Sequence, residues 1–352
     1  MPGSAESIAA ALPLPAATLL FAMIAGAGSI ALLRTPGLAR LLASLAGLAA
    51  IALLIGAAAG HLTPPGNSYA RVSPASGFWL LAFGFALLAT DAVTRLRPTP
   101  LARLGALAAT GLALGLLFGS GQWDGLSIMK EYAGRAASFQ AELVRHLVLA
   151  VGSLVAAALV GLPLAILCHR VPSLRAGVLG LLNMVQTIPS IALFGLLIAP
   201  LAWVALHVPG ASALGIRGIG AAPAFVALFL YALLPVVANT VVGLAGVSPA
   251  ANDAARGVGM TDWQRLAGVE LPLALPLILT GIRIVLIQNI GMATIAALVG
   301  GGGLGVFVFQ GIGQTALDLV LLGALPTVAM AFAAAVVLDA GIALSRPKGT
   351  AA

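Results

Sequence analysis

Residues 253–272 read Asp253-Ala254-Ala255-Arg256-Gly257-Val258-Gly259-Met260-Thr261-Asp262-Trp263-Gln264-Arg265-Leu266-Ala267-Gly268-Val269-Glu270-Leu271-Pro272. This stretch is polar and patterned, and it lies between two long apolar stretches, 219–245 and 273–299. Just ahead of it, Ser248 offers an N-cap hydroxyl and Pro249 suits the first helical position, so a short helix is expected from there to about Arg256. Gly257 and Gly259 then break it. Thr261-Asp262-Trp263-Gln264 has capping-box spacing, which predicts a second short helix that ends before Leu271-Pro272. The expected product is two short helices bent at glycine. Ala254 and Ala255 leave one face bare for the close approach of another protein, and Asp253, Arg256, Asp262 and Arg265 form a charged rim. The alternative is an ordinary solvated loop. Charge and helix signals at this density occur nowhere else in a chain with 8% charged residues, which favours a docking surface.

Working outward, the flanks set the fold class. The chain has 352 residues, 61% of them hydrophobic, against roughly 45–50% in soluble domains. Its mean hydropathy is +1.12. Apolar stretches long enough for the ~20 residues that cross a bilayer occur near 14–33, 38–60, 77–95, 101–119, 143–168, 174–206, 219–245, 273–299 and 317–344. The expectation is an all-α integral membrane protein with about nine transmembrane helices, in which 174–206 is a span or a span with a re-entrant piece. No cleavable signal peptide is expected, because the N-terminus has no basic region and Arg34 follows the first apolar stretch.

A net charge of +7 invites a nucleic-acid reading, but the basic residues are spread by topology and form no patch. With the C-terminus inside, the inner segments carry eleven: Arg34, Arg40, Arg95, Arg97, Arg103, Arg170, Arg175, Arg256, Arg265, Arg346 and Lys348. The outer segments carry five: Arg71, Lys130, Arg135, Arg145 and Arg217. The positive-inside rule then predicts the N-terminus outside, the C-terminus inside and residues 246–272 in the cytoplasm. Cys168 is the single cysteine, so no intrachain disulfide forms, and no metal-ligand spacing is present. His61, His146, His169 and His207 fall near the expected span ends.

The chain divides into four spans over 1–119, an external interfacial segment over 120–142, a five-span unit over 143–345 containing the loop 248–272, and a cytoplasmic tail over 346–352. Ile128, Tyr132, Phe139 and Leu143 recur at roughly helical spacing, which predicts a helix lying on the outer membrane surface.

The pattern Asp253-Ala254-Ala255, Gly259, nine residues, then Val269-Glu270-Leu271-Pro272 resembles the EAA loop of bacterial ABC importer permeases, with Asp for Glu and Val for Ile. From residue 143 onward, over about 200 residues, the chain is similar to the permeases of the glycine betaine, carnitine and choline group. Gln186-Thr187-Ile188-Pro189-Ser190 resembles part of that group's second core span, Leu230-Tyr231 to Pro235 with Asn239-Thr240 its third, and Gly281-Ile282-Arg283 with Ile290 to Thr294 its fourth. Gly300-Gly301-Gly302-Gly303-Leu304-Gly305 matches the glycine run that follows. Four additional N-terminal spans depart from the shortest members. The resemblance implies a C-terminal five-helix ABC importer permease core in a bacterial inner membrane. It also implies an ATPase subunit docked on Asp253, Ala254, Ala255, Gly259, Leu271 and Pro272, a second permease copy or paralogue, and an external substrate-binding protein.

A transport path through lipid requires polar groups turned to a cavity, and few are available. Gln186, Thr187 and Ser190 surround Pro189, which kinks or opens a helix. Tyr231, Asn239 and Thr240 lie in the next span, Asn289 and Thr294 in the fourth. Aromatic faces and amide oxygens suit a quaternary ammonium ion; polar bonding between helices is the competing role for each residue taken alone. Gly301, Gly302, Gly303 and Gly305 allow close helix packing or form an outer gate. Gly300, Gly302 and Gly305 fit G-x-G-x-x-G by chance; they follow a membrane span and no strand, which rules out a dinucleotide fold. Arg283 is expected to pair with Asp339. No G-x-x-x-x-G-K-[ST] is present, so ATP must be bound by a partner and this chain carries no cofactor and no enzymatic activity of its own. The alternatives are an ABC permease for an amino acid or other small solute and, from another class, a proton-coupled secondary transporter, which needs intramembrane carboxylates and usually repeated halves. A membrane enzyme is disfavoured by the lack of a Ser/His/Asp or His-rich constellation.

Overall fold

The computed structural model describes residues 5–64, 67 and 70–345, so Arg346 and Lys348 of the charge count lie outside the described residues. Among those described, nine helices are long and apolar enough to cross a membrane. The chain forms two compact units, Met1–Gly134 and Arg135–Ala352.

In the first unit a short helix α1 (Ile8–Ala11), capped by Ser7, leads into α2 (Leu14–Leu32), α3 (Gly37–Leu62), α4 (Ser76–Leu96) and α5 (Pro100–Gly119). Leu12, Ala17, Leu20, Ile51, Ala58 and Phe85 form its core, where α2 and α4 pack on α3. Asp91 is paired within the unit: Arg40 reaches it at 2.7 Å and Arg95 at 2.9 Å. Arg40 also donates to the Leu33 carbonyl at 2.9 Å, closing the carboxyl end of α2. No residue of α5 is buried within the chain, as befits a helix that faces lipid or another subunit.

The stretch expected to lie apart on the membrane surface, 120–142, is a turn followed by the opening of a long helix. Trp123 Nε1 donates to the Ala52 carbonyl at 2.7 Å and Gln122 Nε2 to that of Leu53 at 2.9 Å, fastening the turn to α3. Helix α6 (Ser127–Arg170) then begins, and no helix break marks residue 143. Its irregularity is a kink at Arg135 (φ −135°, ψ 19°), where the two units divide.

The second unit contains the rest of α6 with α7 (Pro172–Thr187), α8 (Ser190–Leu196), α9 (Ile198–His207) and α10 (Ala221–Ala245). Then follow α11 (Pro249–Gly257), α12 (Asp262–Arg265), a π turn (Leu266–Glu270) and α13 (Leu271–Met292). A 3-10 turn (Ile295–Val299), α14 (Gly305–Gly313) and α15 (Leu317–Ser345) complete it. Helix α10 is the most buried span and packs against α7 and α13, while α15 covers α13 and α14. Ala224, Ala227, Ala232 and Gly243 lie on the buried face of α10, and neighbouring backbones approach closely: a methyl group on Gly281 of α13 would lie 2.9 Å from both Asn239 Cβ and the Pro235 carbonyl of α10. The stretch 174–206 is broken at Ile188-Pro189, because Ile188 takes an extended conformation (ψ 127°) ahead of the proline.

Two expectations about residues 248–272 are corrected here. The second short helix does not end before Leu271-Pro272; it continues through the π turn into α13, with the Leu271 N–H donating to the Leu266 carbonyl. Pro272 stands in the first turn of α13, where a missing N–H is tolerated. Arg265 is not a rim residue. It is buried, for a reason given by its neighbours.

Candidate functional site

The polar segment folds into an elbow. Ser248 accepts from the Ala251 N–H and Pro249 begins α11, as the sequence predicts. Helix α11 ends in a Schellman motif: Met260 N–H donates to the Ala255 carbonyl at 3.1 Å and Gly259 N–H to that of Arg256 at 2.9 Å. Gly259 has φ +82°, the left-handed conformation that glycine adopts without strain, and no atom lies within 4 Å of where its Cβ would be. The elbow therefore needs glycine for its dihedral and not for space. Thr261 and Gln264 form the full capping box that starts α12.

On the outside of the bend Val258 and Trp263 are each 76% exposed, Met260 projects beside them, and the Asp253 and Arg256 side chains are exposed too. Exposed aromatic and aliphatic side chains on a polar segment favour a partner surface over a solvated loop. Ala254 is exposed and Ala255 is buried, so only one of the two alanines is offered to a partner.

On the inside, Arg265 Nε bonds Glu270 Oε1 at 3.0 Å across the π turn, and its Nη2 reaches Asp262 at 2.9 Å. Arg170, the last residue of α6, reaches Glu270 Oε2 at 2.9 Å. Glu270 is 2% exposed and Arg265 5%. A carboxylate that deep requires partners for its oxygens, and here both are engaged. Glu270 stands inside the sequence motif without a role that the motif assigns. A signal was available: a carboxylate at the mouth of an apolar span demands a cation, and Arg170 closes an earlier span.

Hydrogen bonds sort the residues expected along the transport path into groups. At the α7–α8 break, Gln186 Nε2 donates to the Tyr231 carbonyl at 2.8 Å, and the Tyr231 hydroxyl donates to the Ile188 carbonyl. The first bond has a specific cause. Residue 235 is a proline, so the Tyr231 carbonyl lacks its helical donor four residues on, and Gln186 supplies it. Thr187 bonds back to the Met184 carbonyl at 2.7 Å, and Ser190 is half-buried at the head of α8. Farther along α10, Asn239 Nδ2 bonds the Pro235 carbonyl at 2.8 Å, and the buried Thr240 hydroxyl has no hydrogen-bond partner among the described residues.

Asn289 belongs to a second group. It is fully buried against α6, where its Nδ2 donates to Ser153 Oγ at 2.9 Å. Thr294 stands in the turn beyond α13, and a Cβ at Gly305 would lie 1.9 Å from its carbonyl oxygen. No side chain larger than hydrogen fits there. The remaining glycines form the third group with α6: Gly303 N–H donates to Glu142 at 2.5 Å, and Leu304 N–H to His146 Nδ1 at 3.3 Å. His146 Nε2 meets the Ile290 carbonyl at 2.9 Å. Accepting at Nδ1 and donating at Nε2, this fully buried ring is a neutral strut between α6, the end of α13 and the glycine run. Gly302 and Gly303 have φ of +75° and +87°, and Gly301 does not share that conformation. Arg283 pairs with Asp339 between α13 and α15, as expected.

Comparison with known proteins covers both units. Residues 1–129 match the family described as ABC transporter permease YehY, N-terminal domain, and residues 157–348 match the binding-protein-dependent transport system inner membrane component family. The osmoprotectant import permease protein OsmW of Salmonella typhimurium is 43% identical over 216 residues, 61% of this chain and 92% of that protein. The carnitine transport permease protein OpuCB of Listeria monocytogenes is 36% identical over 53% of this chain and 78% of its own length. The glycine betaine/carnitine/choline transport system permease protein OpuCB of Bacillus subtilis is 35% identical over 58% of this chain and 85% of its own.

Proposed function

Because this chain belongs to the binding-protein-dependent transport system inner membrane component family, whose match spans more than half its length, we propose that it is the membrane permease of an ABC importer for glycine betaine or a related quaternary ammonium osmoprotectant. The substrate class is supported by the relatives carrying those names. ATP is hydrolysed by a separate ATPase subunit, substrate arrives on an external binding protein, and a second permease copy or paralogue completes the membrane path. The N-terminus is outside and the C-terminus cytoplasmic, on the asymmetry of basic residues.

The observation that carries this reading is the elbow. A capped, charged bend with Val258, Met260 and Trp263 uncovered, set between two membrane helices and tied internally to a third, suits a surface on which a motor subunit pushes. The knot of Gln186, Ile188, Tyr231 and Pro189 is the candidate point where the path opens. Freeing the Tyr231 ring and the Ile188 carbonyl would offer an aromatic face and an oxygen, the groups that hold an ammonium lacking N–H donors. The glycine run against Glu142 and His146 serves as the gate at the other end of α13.

The test is transport. Proteoliposomes containing this permease, its ATPase and its binding protein should accumulate radiolabelled glycine betaine only when ATP reaches the ATPase, and unlabelled choline or carnitine should compete. Accumulation driven by a proton gradient without ATP contradicts the proposal.

A further inference from the structure

The junction between elbow and membrane helix has a soft backbone. Gly268 and Pro272 lie within it, and the π turn between α12 and α13 replaces ordinary helical bonds with wider ones. Displacing the elbow would bend such a junction and leave α13 where it was. Side chains remove that freedom. Glu270 bridges the turn to Arg265 on one oxygen and reaches across to Arg170 of α6 on the other. Leu266 of the π turn, Leu244 of α10, Ala274 and Ile278 of α13, and Leu162 and Ile166 of α6 form an apolar cluster joining the same elements.

Stability alone does not account for the ionic part. A buried ion pair sacrifices hydration that its attraction barely restores, and apolar replacements of equal volume are often as stable. What the pair adds over an apolar contact is direction and register. We propose that Glu270 is the positioning residue of coupling: through Arg170 it makes the end of α6 move with the elbow, so that work done by the ATPase enters the membrane helices and is not lost in bending of the π turn. This rests on the importer reading above. Helix α6 is suited to the role because its far part holds the glycine run, through Glu142 and His146.

The experiment uses the complete importer in proteoliposomes and measures substrate accumulated per ATP hydrolysed, together with ATPase retained on the permease. Coupling between sites is typically worth about 5- to 150-fold in an equilibrium. Glu270→Gln, which keeps size and hydrogen bonding, should therefore lower the transport-to-hydrolysis ratio at least about five-fold while ATPase retention stays near wild type. Arg170→Gln should do the same, the combined variant should be no worse than either, and Arg170→Lys should restore most of the ratio. If Glu270→Gln does not reach the membrane, Arg170→Gln carries the test, since that side chain is one-third exposed and its loss leaves Glu270 paired with Arg265. An unchanged ratio, or single effects that simply multiply, overturns the proposal while a transporting wild type leaves the importer reading intact. A wild-type complex that assembles and hydrolyses ATP but accumulates nothing overturns both.

Discussion

Gln186 shows how a polar residue in a span can be spoken for by the backbone. Its amide replaces the N–H that Pro235 lacks, so its conformation is tied to the proline turn of α10. Removing it leaves a carbonyl unsatisfied at a cost of about 1–3 kcal/mol. Gln186→Leu should therefore lower the thermal midpoint of the purified protein and also reduce uptake at normal membrane abundance; an unchanged midpoint would show that the bond does not stabilise the fold. At this scale the sequence was legible wherever partners are close along the chain. Ser248, Thr261 and Gln264 act as the caps their spacing announced. Arg283 and Asp339 were matched at a distance because so few charges lie within spans. Glu270 escaped because its outer partner is 100 positions away, at the end of another helix. Arg265 was misplaced for a different reason: its partners Asp262 and Glu270 are close in sequence, but a capping box fixes where a helix starts and says nothing about which face is covered.

Among the elements, hydropathy located the spans well because a bilayer demands unbroken apolar length. Their continuations were less legible. Pro272 reads as a stop, yet α12 passes into α13 through a π turn, with Pro272 in the first turn of α13. The polar opening of α6 reads as a surface helix, and the break that follows it falls at Arg135 and not at 143, where apolar character begins. The elbow itself was anticipated, and its geometry gives a prediction. A non-glycine residue in the left-handed region costs roughly 1–2 kcal/mol, and a β-branched one is worse, so Gly259→Val should misalign α11 and α12. Asp253→Lys should reverse the charge on the exposed face of α11. Both variants should insert normally, lose ATPase on co-purification and lose substrate-stimulated hydrolysis. Retention of wild-type uptake by both would reduce the elbow to a surface loop.

For the whole molecule, family membership was legible from residue 143 onward because several short motifs recur in order. The first 119 residues carried composition without motif, and their match to the YehY N-terminal domain could not be read from apolar periodicity, which any lipid-facing helix satisfies. The orientation proposed from charge placement predicts that reporter fusions after Arg97 and Arg175 both report cytoplasm; an external signal at Arg175 contradicts the scheme. The most direct test of the central claim, that the elbow is a cytoplasmic docking surface for an ATPase, exploits a simple fact: Cys168 is the chain's single cysteine and is buried. In Val258→Cys the new thiol is the reactive one. In inside-out vesicles of the assembled importer, a short thiol cross-linker should join it to the ATPase subunit, and Gly259→Val in the same chain should abolish the adduct. Labelling of that thiol by a membrane-impermeant maleimide applied outside intact cells, with no adduct to the ATPase in the vesicles, would contradict the account.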